Sequence, residues 1–237
     1  TEMVRTFQHQ LFMLDDHLQR LFMALEYVGI ESPVSATELK QICETLVKKN
    51  AALLPGQHDL GLTVFITAGH NLPYLGLAEL EACQTPTVCV HTFPLAFELW
   101  DRKYAGGQHL MRSEGYVAET TIGNFFLVQG NQIYSPRPEY VLGGISQRMV
   151  IRLAKQLGLD YQETDISPNM ILEADEALTS STAYCLMPVT RFEDHQLSQG
   201  SPGPVFQKLI AAWSQTVGVD ILQQAQEIGA ARRPACL

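Results

Sequence analysis

The chain has 237 residues, 46% of them hydrophobic, and 25 Asp and Glu against 16 Lys and Arg give it a net charge of −9. That length and apolar content support one large domain or two modest ones with a proper core, while the acidity, with no basic block or stripe, argues against nucleic-acid or anionic-membrane partners. The five cysteines (Cys43, Cys83, Cys89, Cys185, Cys236) are odd in number and lack a CxxC pair, and the seven histidines form no HExxH or His/Cys cluster, so reduced thiols in a cytoplasmic protein are expected, and no metal site.

No apolar run is long enough to span a bilayer, and the start TEMVRTFQHQ has no basic-then-apolar signal pattern, so a soluble, non-secreted protein is expected. The chain begins at Thr1 inside what reads as a strand, and an upstream stretch is expected to be missing. LDDHLQRLFMALEYVGI then spaces Leu14, Leu18, Leu21, Phe22 and Leu25 helically and stops at Gly29. SATELKQICETLVKKN predicts a second helix, with Ser35 and Glu38 at capping-box spacing and Leu39, Ile42 and Leu46 on one face. LGLTVFITAG and TPTVCVHTFPL are β-branched runs that read as strands, giving a small α+β domain over residues 1–104.

DRKYAGGQHL follows, and its Ala105–Gly107 stretch predicts a flexible interdomain linker ahead of a larger domain over 108–237. Strands are expected at GYVAET and NFFLVQ around a short turn, then at GNQIYSP, with a helix in GGISQRMVIRLAKQLGL. DYQETDIS predicts a strand, and SPNMILEADEAL a short helix capped by Ser167 with Pro168 at its first position. TAYCLMPVTRF reads as a strand and PGPVFQKLIAAWSQTVG as the closing amphipathic helix.

Taken singly, the polar features along this path are ordinary. GGIS at 143–146 places free N–H groups and a positive dipole end at a helix start, a natural phosphate site that is also a plain turn. SSTA at 180–183 offers hydroxyls with little bulk, Arg20 lies beside Asp15 and Asp16 on a helix, and Glu119 sits in an alternating apolar strand where a carboxylate, if buried, needs a cationic partner.

In combination and order, HLQRL, GYVAETTIGNFF, SPRPEYVLGGISQR, EADEALTSSTAYCLMPV and GSPGP resemble the class IV aminotransferases, the fold-type IV pyridoxal phosphate enzymes, from about Phe12 to Trp213. The resemblance implies a two-domain α+β fold, with a small α+β domain, a larger mixed-sheet domain and the cofactor, pyridoxal 5′-phosphate, between them. It implies that Glu119 binds the pyridine nitrogen and that the phosphate is held by Arg20, by Ile145 and Ser146 at the helix start, and by Ser181 and Thr182. Ser146 stands where Thr is usual and keeps the hydroxyl; Ser181 stands where Gly is usual and adds a side chain near the phosphate. A homodimer is implied as well, because the family's site borrows residues from a second subunit.

Such an enzyme needs a lysine that holds the cofactor covalently and carries a proton. The nearest upstream candidate is Lys103, 16 positions before Glu119, and that span leaves no room for the helix and strand expected between them. The catalytic lysine is therefore expected in a segment, near 111–113, that these residues do not contain; the rival is a true deletion and an inactive relative. FITAGHNLPY lies where the family recognises the substrate carboxylate but has Thr67 or Ala68 instead of the arginine of typical branched-chain enzymes. The expected activity is transfer of an amino group between an amino acid, branched-chain-like or D, and a 2-oxo acid such as 2-oxoglutarate. The alternative is a lyase that releases pyruvate from an aminated chorismate.

Overall fold

EMVRTF forms the first strand, β1 (Glu2–Phe7), paired antiparallel with β3 (Leu60–Thr67) on one side and with the short β2 (Gln10–Leu11) on the other. The hairpin partner of β3 is β4 (Thr87–Pro94), giving a four-stranded sheet in the order β2-β1-β3-β4. This is a computed structural model that describes residues 1–55, 58–69, 85–110 and 115–232, and the chain divides into two compact units, Thr1–Leu95 and Ala96–Leu237.

In the first unit, α1 (Leu14–Tyr27) turns Leu14, Leu18, Leu21 and Leu25 into a core with Val4 and Leu62. Spacing of three and four residues puts those side chains on one stripe, and each fully buried leucine contributes roughly 1.5–3 kcal/mol. The helix ends where the sequence places its stop: Gly29 takes φ +71° and Ile30 N–H donates to the Leu25 carbonyl at 2.9 Å. The next helix, α2 (Ala36–Ala51), opens with the predicted box, Ser35 Oγ accepting from Glu38 N–H at 3.2 Å and the Glu38 carboxylate from Ser35 N–H at 2.8 Å.

The second unit starts with α3 (Phe97–Gly106), so Ala105 and Gly106, expected as flexible linker, are helical. The reason is local. Gly107 takes φ +74°, a Cβ there would stand 2.2 Å from the Thr190 methyl, and Thr190 Oγ1 donates to the Gly106 carbonyl at 2.8 Å. Next come β5 (Gln108–Leu110), β6 (Glu119–Thr120), β7 (Gly123–Gln129), β8 (Gln132–Ser135), α4 (Ile145–Gln156), β9 (Asp160–Glu163) and α5 (Pro168–Leu172). They are followed by β10 (Glu176–Ser181), β11 (Cys185–Phe192), β12 (His195–Gln196), α6 (Pro204–Val217) and α7 (Ile221–Arg232).

The strands make an eight-stranded mixed sheet in the order β12-β11-β10-β7-β8-β9, with β5 parallel to β11 and β6 on β7. Two elements differ from expectation. The expected helix at 167–178 stops at Leu172, and Glu176–Ser181 is a central strand. That strand is buried on both faces almost throughout, so it shows no alternation, the signal by which a half-buried strand is read. Glu176 explains the acid in it: its carboxylate accepts from Val205 N–H at 2.7 Å and Phe206 N–H at 3.0 Å, capping α6 from the sheet. The closing helix is also not the last, since α7 follows it after Gly218.

Candidate active site

Glu119 on β6 pairs with Asn124 on β7, and Asn124 pairs on its other side with Ser180 on β10. Residues opposed in an antiparallel ladder share a face, so three polar side chains stand in a row across three strands. The loop entering α4 is bonded to this row at two points. Asn124 Nδ2 donates to the Leu142 carbonyl at 2.8 Å, and Leu142 N–H donates to Glu119 Oε2 at 3.0 Å. Glu119 is exposed, so the burial cost that would demand a cation does not arise in the chain by itself; its second oxygen, Oε1, lies outside that bond.

The same loop ends at Gly144, the cap of α4, which supplies no side-chain hydrogen bond to the first turn. A 12-residue helix starting without a side-chain cap presents N–H donors and a positive dipole end. A side chain could not take this place, because a Cβ on Gly144 would lie 2.0 Å from Asn124 Oδ1. Ile145 and Ser146, 2% and 5% exposed, are the first two helical residues. Ser180 Oγ is buried and has no hydrogen-bond partner among the described residues, an orphaned hydroxyl in the row that abuts this helix start. Ser181 and Thr182 follow it, half-buried, where β10 turns into β11; Ser181 closes the turn against Cys185 at φ +64°. The turn is anchored below by Tyr184, whose hydroxyl reaches Thr179 Oγ1 at 3.1 Å and whose phenol is pushed up by burial.

Five of the six predicted site residues, Glu119, Ile145, Ser146, Ser181 and Thr182, thus belong to one end of the second unit. Arg20 belongs to the first unit and is not a solvated helix charge. Its Nε and Nη2 fork onto the two oxygens of Glu2 at 2.7 and 2.8 Å, and His17 Nδ1 meets the same carboxylate at 2.7 Å. Glu2 and His17 are 6% and 1% exposed. Burial raises the Glu2 carboxyl, but hydrogen bonds from His17 and Arg20 outweigh it and hold it below the ordinary glutamate range.

Asn124, Glu2 and His17 were missed by sequence reasoning, and Ser180, noted only as part of the SSTA turn, was not among the predicted contacts. His17 had a signal, since it lies on the stripe of Leu14, Leu18 and Leu21, where a polar residue must be paired. The other three depend on strand register, which a single sequence does not show. Lys103 lies exposed in the last turn of α3, away from the ends of β6, β7 and β10 in sequence and element. Thr67 and Ala68 are at the end of β3, and the rest of the expected carboxylate-recognition stretch, 70–74, lies outside the described residues, as do 111–114.

The profile of the family described as amino-transferase class IV matches residues 1–106 and 105–192. The chain belongs to this family. A D-alanine aminotransferase from Bacillus licheniformis is 26% identical over 91% of this chain and 86% of its own length. Branched-chain amino acid aminotransferase from Escherichia coli superimposes with a TM-score of 0.78 at 21% identity, covering 90% of this chain and 84% of that one. The branched-chain aminotransferase of Thermobaculum terrenum, solved in its PLP form, gives 0.74 at 18% identity over 95% and 86%. The fold is that of the fold-type IV aminotransferases. The family profile matches in two pieces that meet at residues 105 and 106, and the alignment with the Bacillus relative runs over 252 residues, more than the 237 of the whole chain. No helix of the described residues is long and apolar enough to cross a membrane.

Proposed function

We propose that this class IV aminotransferase uses pyridoxal 5′-phosphate, held at the row Glu119–Asn124–Ser180 and the start of α4, to move an amino group between an amino acid and a 2-oxo acid. One observation carries the reading: a carboxylate with an oxygen outside its single protein bond and a helix start without a side-chain cap are joined through the same loop residue, Leu142. These are the complements of a protonated pyridine nitrogen and of a phosphate dianion, and the orphaned Ser180 hydroxyl fits an occupant rich in acceptors. The names of its relatives, all aminotransferases, support transfer over the lyase alternative.

When bound, the cofactor supplies an electron sink for the carbanion formed as an amino acid loses its α-proton. Glu119 keeps the proton on the pyridine nitrogen, and the Leu142 N–H bond fixes the direction of its carboxylate. The first N–H groups of α4, with the hydroxyls of Ser146, Ser181 and Thr182, bind the phosphate. Arg20 is a further phosphate ligand on the strength of the sequence resemblance. The lysine that moves the α-proton belongs to a segment near residues 111–113 that these 237 residues do not contain; the family match in two pieces, over 1–106 and 105–192, supports a break in this region.

The amino-acid side chain is branched-chain-like or belongs to a D-amino acid, since the named relatives include both kinds. The protein works as a homodimer in the cytoplasm, a reading supported by the family resemblance and, for the compartment, by the free thiols of Cys43 and Cys89. The test is 2-oxo acid release from a panel containing D-alanine and L-leucine, with 2-oxoglutarate as acceptor. Turnover that depends on the acceptor is expected; pyruvate release from an aminated chorismate without one would assign the lyase instead.

A further inference from the structure

Asn124 is 6% exposed and has no place in the sequence-derived set of cofactor contacts. Yet it adjoins Glu119, Ser180 and the loop that enters α4. Its strand register sets it between Glu119 and Ser180, its Nδ2 holds the Leu142 carbonyl at 2.8 Å, and its Oδ1 lies 2.0 Å from where a Cβ on Gly144 would stand. Leu142 in turn gives its N–H to Glu119, so two residues before the cap of α4 the loop is held from both sides, by a neutral amide and by the carboxylate.

We propose that Asn124 is a positioning residue that sets the phosphate-binding start of α4 in register with Glu119, acting through Leu142 and Gly144. The inference rests on the pyridoxal phosphate reading above and deepens it. An aspartate here would lose the donor to Leu142 and repel a phosphate; a longer amide would not fit against Gly144. A short side chain with a donor both holds the loop and fills the gap that glycine leaves. The effect belongs chiefly to the phosphate end, because Glu119 has its own anchor in the pairing of β6 with β7, whereas residues 142–144 lie in a loop.

The experiment measures equilibrium binding of pyridoxal 5′-phosphate and of pyridoxal, which lacks the phosphate, to the wild type and to N124A, G144A and the double variant, with a thermal melt of each. Removing Asn124 is expected to weaken pyridoxal phosphate about tenfold, the size of one net hydrogen bond, and pyridoxal less than twofold. G144A should show the same phosphate-selective loss, and the double variant should be no weaker than G144A, because deleting the Asn124 side chain makes room for the added methyl. Equal losses for both ligands, or additive losses in the double variant, would overturn the positioning role and leave Asn124 a fold-stabilising residue. A wild type that binds both ligands alike would sink the phosphate reading itself, and this inference with it; the melts, in which G144A is destabilised and relieved by N124A, still report the contact between the two residues.

Discussion

The two units each bring charged groups together, and they do so in opposite ways. In the first, the charges satisfy one another: Arg20 and His17 take both oxygens of a buried Glu2, and the acid is held ionised by them. In the second, the carboxylate of Glu119 is exposed and receives one backbone N–H, the helix start beside it has no side-chain cap, and Ser180 keeps an unused hydroxyl. The bonds that hold Glu2 stabilise the fold and fix the direction of the Arg20 guanidinium, whereas donors and acceptors left open stabilise whatever ligand completes them. Substitutions should therefore separate the two units by what they damage.

The largest effect is expected at Glu119. In the active enzyme, E119Q should lower the rate of the amino-acid half-reaction by about a hundredfold or more, the usual range for losing a charge matched to the reacting centre, while an exposed position should change stability by less than about 0.5 kcal/mol. Stopped-flow rates and a urea melt of the same sample decide it. A large loss of stability with little change in rate would invert the contrast between the units.

Next in size is Glu2. E2Q leaves the forked guanidinium and the buried imidazole without their carboxylate, and breaking such a pair costs about 3 kcal/mol, read in urea unfolding. Because the folded Glu2 carboxyl is lower than in the unfolded chain, its contribution is fully present above the ordinary glutamate value of 4.5 and is lost as pH falls through the folded value. The variant should thus lose the wild type's extra stability near neutrality, and its stability should fall less steeply in acid. An acid limb as steep as the wild type's would contradict the pairing.

Ser180 gives the smallest and most discriminating change. S180A removes a hydroxyl with no partner among the described residues, so stability should hold or rise slightly, while affinity for pyridoxal phosphate falls a few-fold if the ligand uses that hydroxyl. Titration and melting curves together test it; a destabilised variant would mean that the hydroxyl has a partner in the fold.

What was legible in the sequence follows the same division. Elements with a periodic face and a chemical boundary, such as α1 ending at Gly29 and α2 opening at Ser35, can be read directly, because the cause of each boundary is local. The strand at Glu176–Ser181 could not, since burial on both faces erases alternation and a lone acid in it looks like helix surface until Val205 and Phe206 are seen to need its carboxylate. Glu119, Ile145, Ser146, Ser181 and Thr182 came from ordered motifs, each weak alone. Asn124 and Ser180 came only with the register of β6, β7 and β10, because nothing local in GNFF or TSST says which residues face each other.

The most direct test of the central claim is the intact mass of the purified protein after incubation with pyridoxal phosphate, with and without borohydride reduction, followed by peptide mapping. A mass above the 26.4 kDa of these 237 residues is expected, with a stable cofactor adduct on a lysine of the additional segment near residues 111–113. A mass of 26.4 kDa with no adduct would contradict the account, leaving a class IV fold that holds the row of Glu119, Asn124 and Ser180 without the residue needed to use it.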